Sequence, residues 1–268
     1  MLSKTFYIHA AHALTPAFRS VMSPYAAIYN SGMGASGSAL IDEPEELGLG
    51  NSYSRYEPRE EGLAVSVMAS FTSVAIIADI FHAVEQSIKC KWSMVFDSND
   101  ITDEHQKQPQ PWHNAQCLLI LGHQQPVTES VFNEIIAYAK RGGTVIYWGD
   151  VAPNSESQFQ LIGAWNKGEI LEPGEPHIMN LNRHPDRSLL NGVRDFKSVG
   201  KLIHYSSLAR DCNALMGGKI QKYLEPVVWT RNIGDGKLFY SSLSEDADWL
   251  DDTCIALMTN AIKWAAEK

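Results

Sequence analysis

Cysteine is scarce in this chain, and what there is stands scattered. Four residues in 268, Cys90, Cys117, Cys212 and Cys254, form no CxxC and no Cys/His pair at metal-ligand spacing, so neither a disulfide framework nor a zinc ribbon has a basis in the sequence. Cys117 lies in an apolar run and Cys254 in a C-terminal helical pattern, where free Cys acts as a small hydrophobe. A reducing, cytoplasmic setting is the simpler expectation. Positive charge is also short. Twenty-two Lys and Arg against 31 Asp and Glu give a formal charge of −9, which disfavours nucleic acid as partner, because that binding rests on cations neutralising phosphates. No apolar run reaches the roughly 18 residues of a membrane-spanning helix. The opening "MLSKTFYIHAAHAL" carries His9 and His12 within its apolar stretch, a poor core for a signal peptide. Internal repeats and low-complexity tracts are missing too.

What is present reads as an alternation of strands and helices. Hydrophobic content of 44% and charged content of 20% are those of an ordinary globular chain. Its length suffices to bury a full core. From Gly62 to Ile88 the residues Ala64, Val67, Met68, Phe71, Val74, Ala75, Ala78 and Phe81 recur at helical spacing, with Ile76, Ile77 and Ile80 on another face. This spacing predicts a helix covered on more than one side. The alternative is strand, turn and helix, with "LAVSVMAS" as the strand. "KWSMVF" (91–96), "QCLLILG" (116–122) and "TVIYWG" (144–149) have the uninterrupted apolar character of strands buried on both faces. Between the last two, Thr128 suits an N-cap, Val131, Ile135, Ile136 and Tyr138 make a packing face, and Gly142 suits a stop. Strand, helix and strand at this spacing imply a parallel crossover.

The final third reads as "GKLIHYSS" (200–207), "PVVWTRN" (226–232) and "GKLFYSSL" (236–243), three strands of which the last two form a hairpin through "IGDGK". The closing "DDTCIALMTNAIKWAAEK" is a helix with Asp251 or Asp252 at its start and Ile255, Met258, Ile262 and Trp264 facing the sheet. Residues 1–61 form an extension in which "PYAAIYNS" (24–31) is the candidate first strand, followed by a long polar loop.

"AYAKRGGTVIYWGD", "NRHPDRSLLNGVRDF", "EPVVWTRNIGDGKLFYSSL" and "TNAIKWAAE" together resemble, in order and spacing, the ThuA-like trehalose-utilisation family within the class I glutamine amidotransferase-like fold. The same layout is similar to the amidotransferase-like middle domain of some glycoside hydrolases. The resemblance runs over residues 62–268 and implies an α/β fold, a three-layer, flavodoxin-like and mainly parallel sheet with a C-terminal β-hairpin and helix. It further implies carbohydrate metabolism. In true class I amidotransferases a Cys nucleophile follows the strand after such a "GG" turn; here the matching residues are Trp148, Gly149 and Asp150. Thiolate chemistry of that kind is therefore not expected.

In open parallel sheets, ligands bind beyond the carboxyl ends of the strands. Those ends fall at Asn30, Asp97, His123 with Gln124, and Trp148 to Asp150, with Ser242, Glu245 and Asp246 added by the last strand. His123 and Asp150 are the candidate catalytic residues, a general base and the carboxylate that orients it or holds a substrate hydroxyl. Asn30, Asp97, Gln124, Trp148, Ser242 and Glu245 are the candidate substrate contacts. Tyr147, Trp148, Trp229 and Trp249 suit either stacking platforms for sugar rings or the core, which is the commoner use of aromatics. Trp249, among acidic neighbours, is the one expected near the surface.

Three further motifs have bland readings. "GMGASG" (32–37) matches G-x-G-x-x-G, but Pro44 would interrupt the helix that a pyrophosphate site needs, so it reads as a glycine loop. His9 and His12 stand three apart without a partnered carboxylate, and His184-Pro185-Asp186 reads as a turn. The acidic run Glu245–Asp252 reads as a solvated loop and helix start. No cofactor and no metal are expected. The expected partners are a small-molecule ligand, of sugar type, and further copies of the chain in a homo-oligomer, with no membrane. Two functions follow: a ThuA-like protein that binds or converts a sugar derivative at the strand ends, or a non-catalytic domain serving assembly.

Overall fold

The computed structural model describes residues 61–69, 74–95, 111–122, 129–149, 155–181 and 188–267. The chain opens with β1 (Leu63–Ala69), α1 (Val74–Glu85), β2 (Cys90–Val95), a 3₁₀ turn (Pro111–Asn114), β3 (Cys117–Leu121), α2 (Glu129–Lys140), β4 (Thr144–Trp148) and α3 (Glu156–Ile162). It continues through short strands β5 (Asn166–Glu169), β6 (His177–Asn180), β7 (Phe196–Lys197) and β8 (Ile203–Tyr205). Two long strands follow, β9 (Cys212–Ile220) and β10 (Tyr223–Ile233), then β11 (Gly236–Ser241), a short α4 (Asp246–Trp249) and α5 (Asp252–Ala266).

Nine strands form one mixed sheet in the order β2-β1-β3-β4-β11-β10-β9-β6-β7. The first five are parallel; from β11 onward each neighbour is antiparallel. The chain is thus an α/β fold. β5 and β8 pair separately as a two-stranded sheet, so the strand read over residues 200–207 exists but does not join the main sheet.

The parallel strands are buried on both faces, and successive side chains serve opposite cores. Cys117, Leu119 and Leu121 of β3 join Ile146 and Trp148 of β4 under α1 and α5, while Leu118, Ile120, Val145 and Tyr147 pack under α2 and α3. This double burial overturns the reading of residues 62–88 as one helix. Leu63, Val65 and Val67 fill one core and Met68 the other, so the apolar run carries no alternation to separate strand from helix; the alternative, strand then helix, is the one formed. Across the sheet, Phe81 of α1 stacks on Trp92 of β2 at 4.0 Å, and the Trp92 indole donates to Glu85 at 2.9 Å.

Ends are set by local chemistry. After α2, Gly142 takes φ +100° and the Gly143 N–H returns to the Tyr138 carbonyl at 3.1 Å, closing the helix as a left-handed C-terminal glycine does. Ser155 caps α3 by accepting from the Gln158 N–H, and Asp251 caps α5 by accepting from the Thr253 N–H. The β10–β11 hairpin turns through Gly234 at φ +62° with Ile233 opposite Gly236, so the positive φ falls on the first glycine of "IGDGK" rather than on the Asp-Gly pair.

Candidate functional site

The carboxyl ends of β1, β3, β4 and β11 lie along one edge of the sheet. The chain passes from β1 to β2 on one side and to β3 on the other, and that divergence is where open α/β sheets leave a crevice. At this edge the ladder runs one step past the strands: the Gly122 N–H donates to the Trp148 carbonyl at 3.1 Å and the Gly149 N–H to the Ser241 carbonyl at 2.9 Å. Both glycines have positive φ, +127° and +146°, a region that side chains rarely enter. A Cβ on Gly149 would stand 2.1 Å from the Gly122 carbonyl oxygen. The sharp exit after β4 therefore requires glycine and accepts no nucleophile at position 149.

Of the residues singled out from the sequence, Asn30, Asp97, His123, Gln124 and Asp150 lie outside the described residues, as do His9, His12, "GMGASG", Thr128 and the His184-Pro185 turn. Trp148, Ser242 and Glu245 are described and share the carboxyl edge. Trp148 is fully buried and stacked on Phe239 at 5.9 Å. Its indole N–H is buried without a hydrogen-bond partner among the described residues. Trp112, on the 3₁₀ turn that precedes β3 at the opposite edge, has the same orphaned N–H. Ser242 is buried and its hydroxyl donates to the Val227 carbonyl at 3.3 Å; Glu245 is exposed.

Trp249 corrects an expectation. It is fully buried, and its indole donates to the Leu243 carbonyl at 2.7 Å, because α4 folds the segment after β11 back onto the core. Tyr147 and Trp229 are core residues too, and Trp229 donates to the Ile162 carbonyl at 2.8 Å. Asp248, in the same acidic run, is 3% exposed. It accepts from the Ser198 hydroxyl at 2.5 Å and from the Val199 N–H at 3.0 Å. Sequence spacing carries no trace of this fifty-residue link.

The thiols are unsuited to nucleophilic work. Burial pushes Cys117 and Cys254 far up, and pushes Cys212 up to about 11 with partial relief from Arg231, so all three are held as neutral thiols at physiological pH. Among the described residues no group of three His, Cys, Asp or Glu side chains could hold a metal ion, and no helix is long and apolar enough to cross a membrane.

No protein-family profile and no curated protein matches the chain. Solved structures do resemble it. A ThuA-like protein from Parabacteroides merdae superposes with TM-score 0.55 at 10% identity, over 77% of this chain and 91% of that one. An α-L-fucosidase isoenzyme 2 from Paenibacillus thiaminolyticus gives 0.52 at 12% identity over 88% of this chain. A β-galactosidase from Bacillus circulans sp. alkalophilus gives 0.51 at 14% over 76%. The chain spans only 37% and 31% of the lengths of these two glycosidases. At such identities the likeness concerns the fold.

Proposed function

We propose that the chain binds a carbohydrate or sugar derivative at the carboxyl ends of its parallel strands, in a flavodoxin-like three-layer domain over residues 62–268. His123 and Asp150 are the residues we assign to proton transfer there, and Asn30, Asp97, Gln124, Trp148, Ser242 and Glu245 to the ligand. The single observation that carries the reading is the Trp148 indole N–H at the end of β4, buried and without a partner among the described residues. A buried donor without an acceptor is costly, about 1–3 kcal/mol, and rare enough to need an explanation. A ligand oxygen at the strand ends would supply one. The ThuA-like and glycosidase neighbours add weak support for a sugar as that ligand.

The test is a thermal-shift series against mono- and disaccharides and sugar acids, with Trp148→Phe, His123→Ala and Asp150→Ala beside wild type. A sugar at a hundredfold its Kd should raise stability by about 2.7 kcal/mol. Stabilisation of wild type that fails in the three variants supports the reading. Equal stabilisation of all four proteins moves the ligand elsewhere. A second reading, assembly without catalysis, is favoured by the exposed apolar side chains Val199, Leu224 and Leu250. A melting point that rises with protein concentration and ignores every sugar would select it.

A further inference from the structure

Glu225 is an acidic residue in a strand of the main sheet, yet it is only 9% exposed. Its position follows from register. The Ser242 N–H, just past the end of β11, donates to the Val227 carbonyl, so β10 residues before 227 run beyond the carboxyl edge with β9 alone beside them. Opposite Glu225 and Pro226 stand Gly218 and Gly217. Without side chains there, the segment leading into β8 settles closely: a Cβ on Gly218 would stand 2.5 Å from Leu202 Cδ1. That approach delivers His204 to Glu225.

The contact is short and directional. His204 Nδ1 lies 2.8 Å from Glu225 Oε1, and the other carboxylate oxygen accepts from the Tyr205 N–H at 3.4 Å. The two side chains differ sharply in exposure, 48% for His204 and 11% for Glu225. A carboxylate on Nδ1 favours the tautomer with the proton on that nitrogen. The lone pair of a neutral ring is then on Nε2, in a side chain that is half exposed. Ring orientation by a buried carboxylate is the arrangement by which an imidazole works as a general base. His177 and Asp195, a second His–carboxylate pair among the described residues, stand 4.0 Å apart with both side chains about half exposed, and are not comparable.

We propose that His204 is a second reactive centre of the molecule, a general base toward water or another small hydroxyl compound, with Glu225 as its positioning residue. Nε2 takes the proton as the O–H bond breaks; the oxygen keeps the electron pair and adds to an electrophilic carbon held beside the ring. With an ester and water, the carbon–oxygen bond to the leaving group then breaks with its electron pair, giving a carboxylic acid and an alkoxide or phenolate; the acid's proton passes to the alkoxide, or to solvent where the leaving group stays phenolate, and the imidazolium returns its own proton to solvent. The inference stands apart from the strand-end reading, which concerns sugar binding and different residues.

The probe is p-nitrophenyl acetate, with the full chain and its variants followed by p-nitrophenolate release. Wild type should exceed the rate of an equal concentration of free imidazole and should run more slowly in deuterium oxide than in water, as expected for proton transfer in the rate-limiting step. His204→Gln should lose at least about tenfold of that excess, Glu225→Gln should lose less, and both should melt within a few degrees of wild type. His82→Gln, an exposed helix histidine, should change nothing. An unchanged rate in folded His204→Gln would overturn the proposal, as would a wild-type rate no greater than that of free imidazole. Should His204→Gln fail to fold, His204→Asn with rescue by added imidazole reads the same role, and no rescue in folded protein counts against it.

Discussion

Gly149 and Gly122 meet back to back at the carboxyl edge, with the Gly122 carbonyl oxygen 2.1 Å from where a Gly149 Cβ would lie. This contact is what lets β3 and β4 end side by side.

Gly149→Ala must therefore meet both a backbone atom and a φ of +146°. The backbone strain alone costs about 1–3 kcal/mol, and the steric contact adds to it. Gly168 is the useful comparison, at φ +110° with nothing within 4 Å of its would-be Cβ. Thermal melts of both alanine variants should show Gly149→Ala losing several degrees more than Gly168→Ala. Equal losses would mean that the edge relaxes around the contact.

Asp248 anchors the segment after β11 through Ser198 and Val199. Asp248→Ala leaves a buried hydroxyl and a backbone N–H without their acceptor. It should cost about 3 kcal/mol, equivalent to about 6–12 °C in Tm for a domain of this size. Asp248→Asn keeps one acceptor oxygen and should lose about half as much. Denaturant melts of the three proteins check both values.

Cys212 supplies a pH signature. Its thiol is raised from 9.0 to about 11 in the folded chain, mainly by burial. Below about pH 9 both folded and unfolded thiols are protonated and the full contribution is present; between about 9 and about 11 only the unfolded thiol ionises, so stability falls as pH rises. The difference in unfolding free energy between wild type and Cys212→Ala should thus be level below that window and decline through it. A level difference throughout would place the thiol in a more open setting.

How much of this was legible in the sequence depends on how local each signal is. "QCLLILG", "TVIYWG" and the helix between them were readable because apolar runs bounded by glycine and a capped amphipathic pattern are set within a few residues of each other. The run from Leu63 to Ala69 reads first as helix, with strand then helix as the alternative, because Val65, Val67 and Met68 are all buried, which erases the period of two that marks a half-exposed strand. β9 was missed because "CNALMGGKI" contains two glycines, which weaken a strand pattern; they are explained by the close packing of Leu202. At the candidate site, the edge and its glycines were foreseeable. The His204–Glu225 and Ser198–Asp248 contacts were not, since each joins residues 21 or 50 positions apart.

The last helix returns the chain to the other side of the sheet. Lys237, at the start of β11, donates to the Trp264 and Glu267 carbonyls at 2.6 and 2.7 Å and lies 4.2 Å above the Trp264 ring. Lys237 pairs with Thr144 at the amino end of β4, so the backbone leaves Glu267 about a strand's length from Gly122 and Gly149. A surface tether or fluorescent fusion attached there would hold the molecule by its floor, with the carboxyl ends of the strands facing the solution.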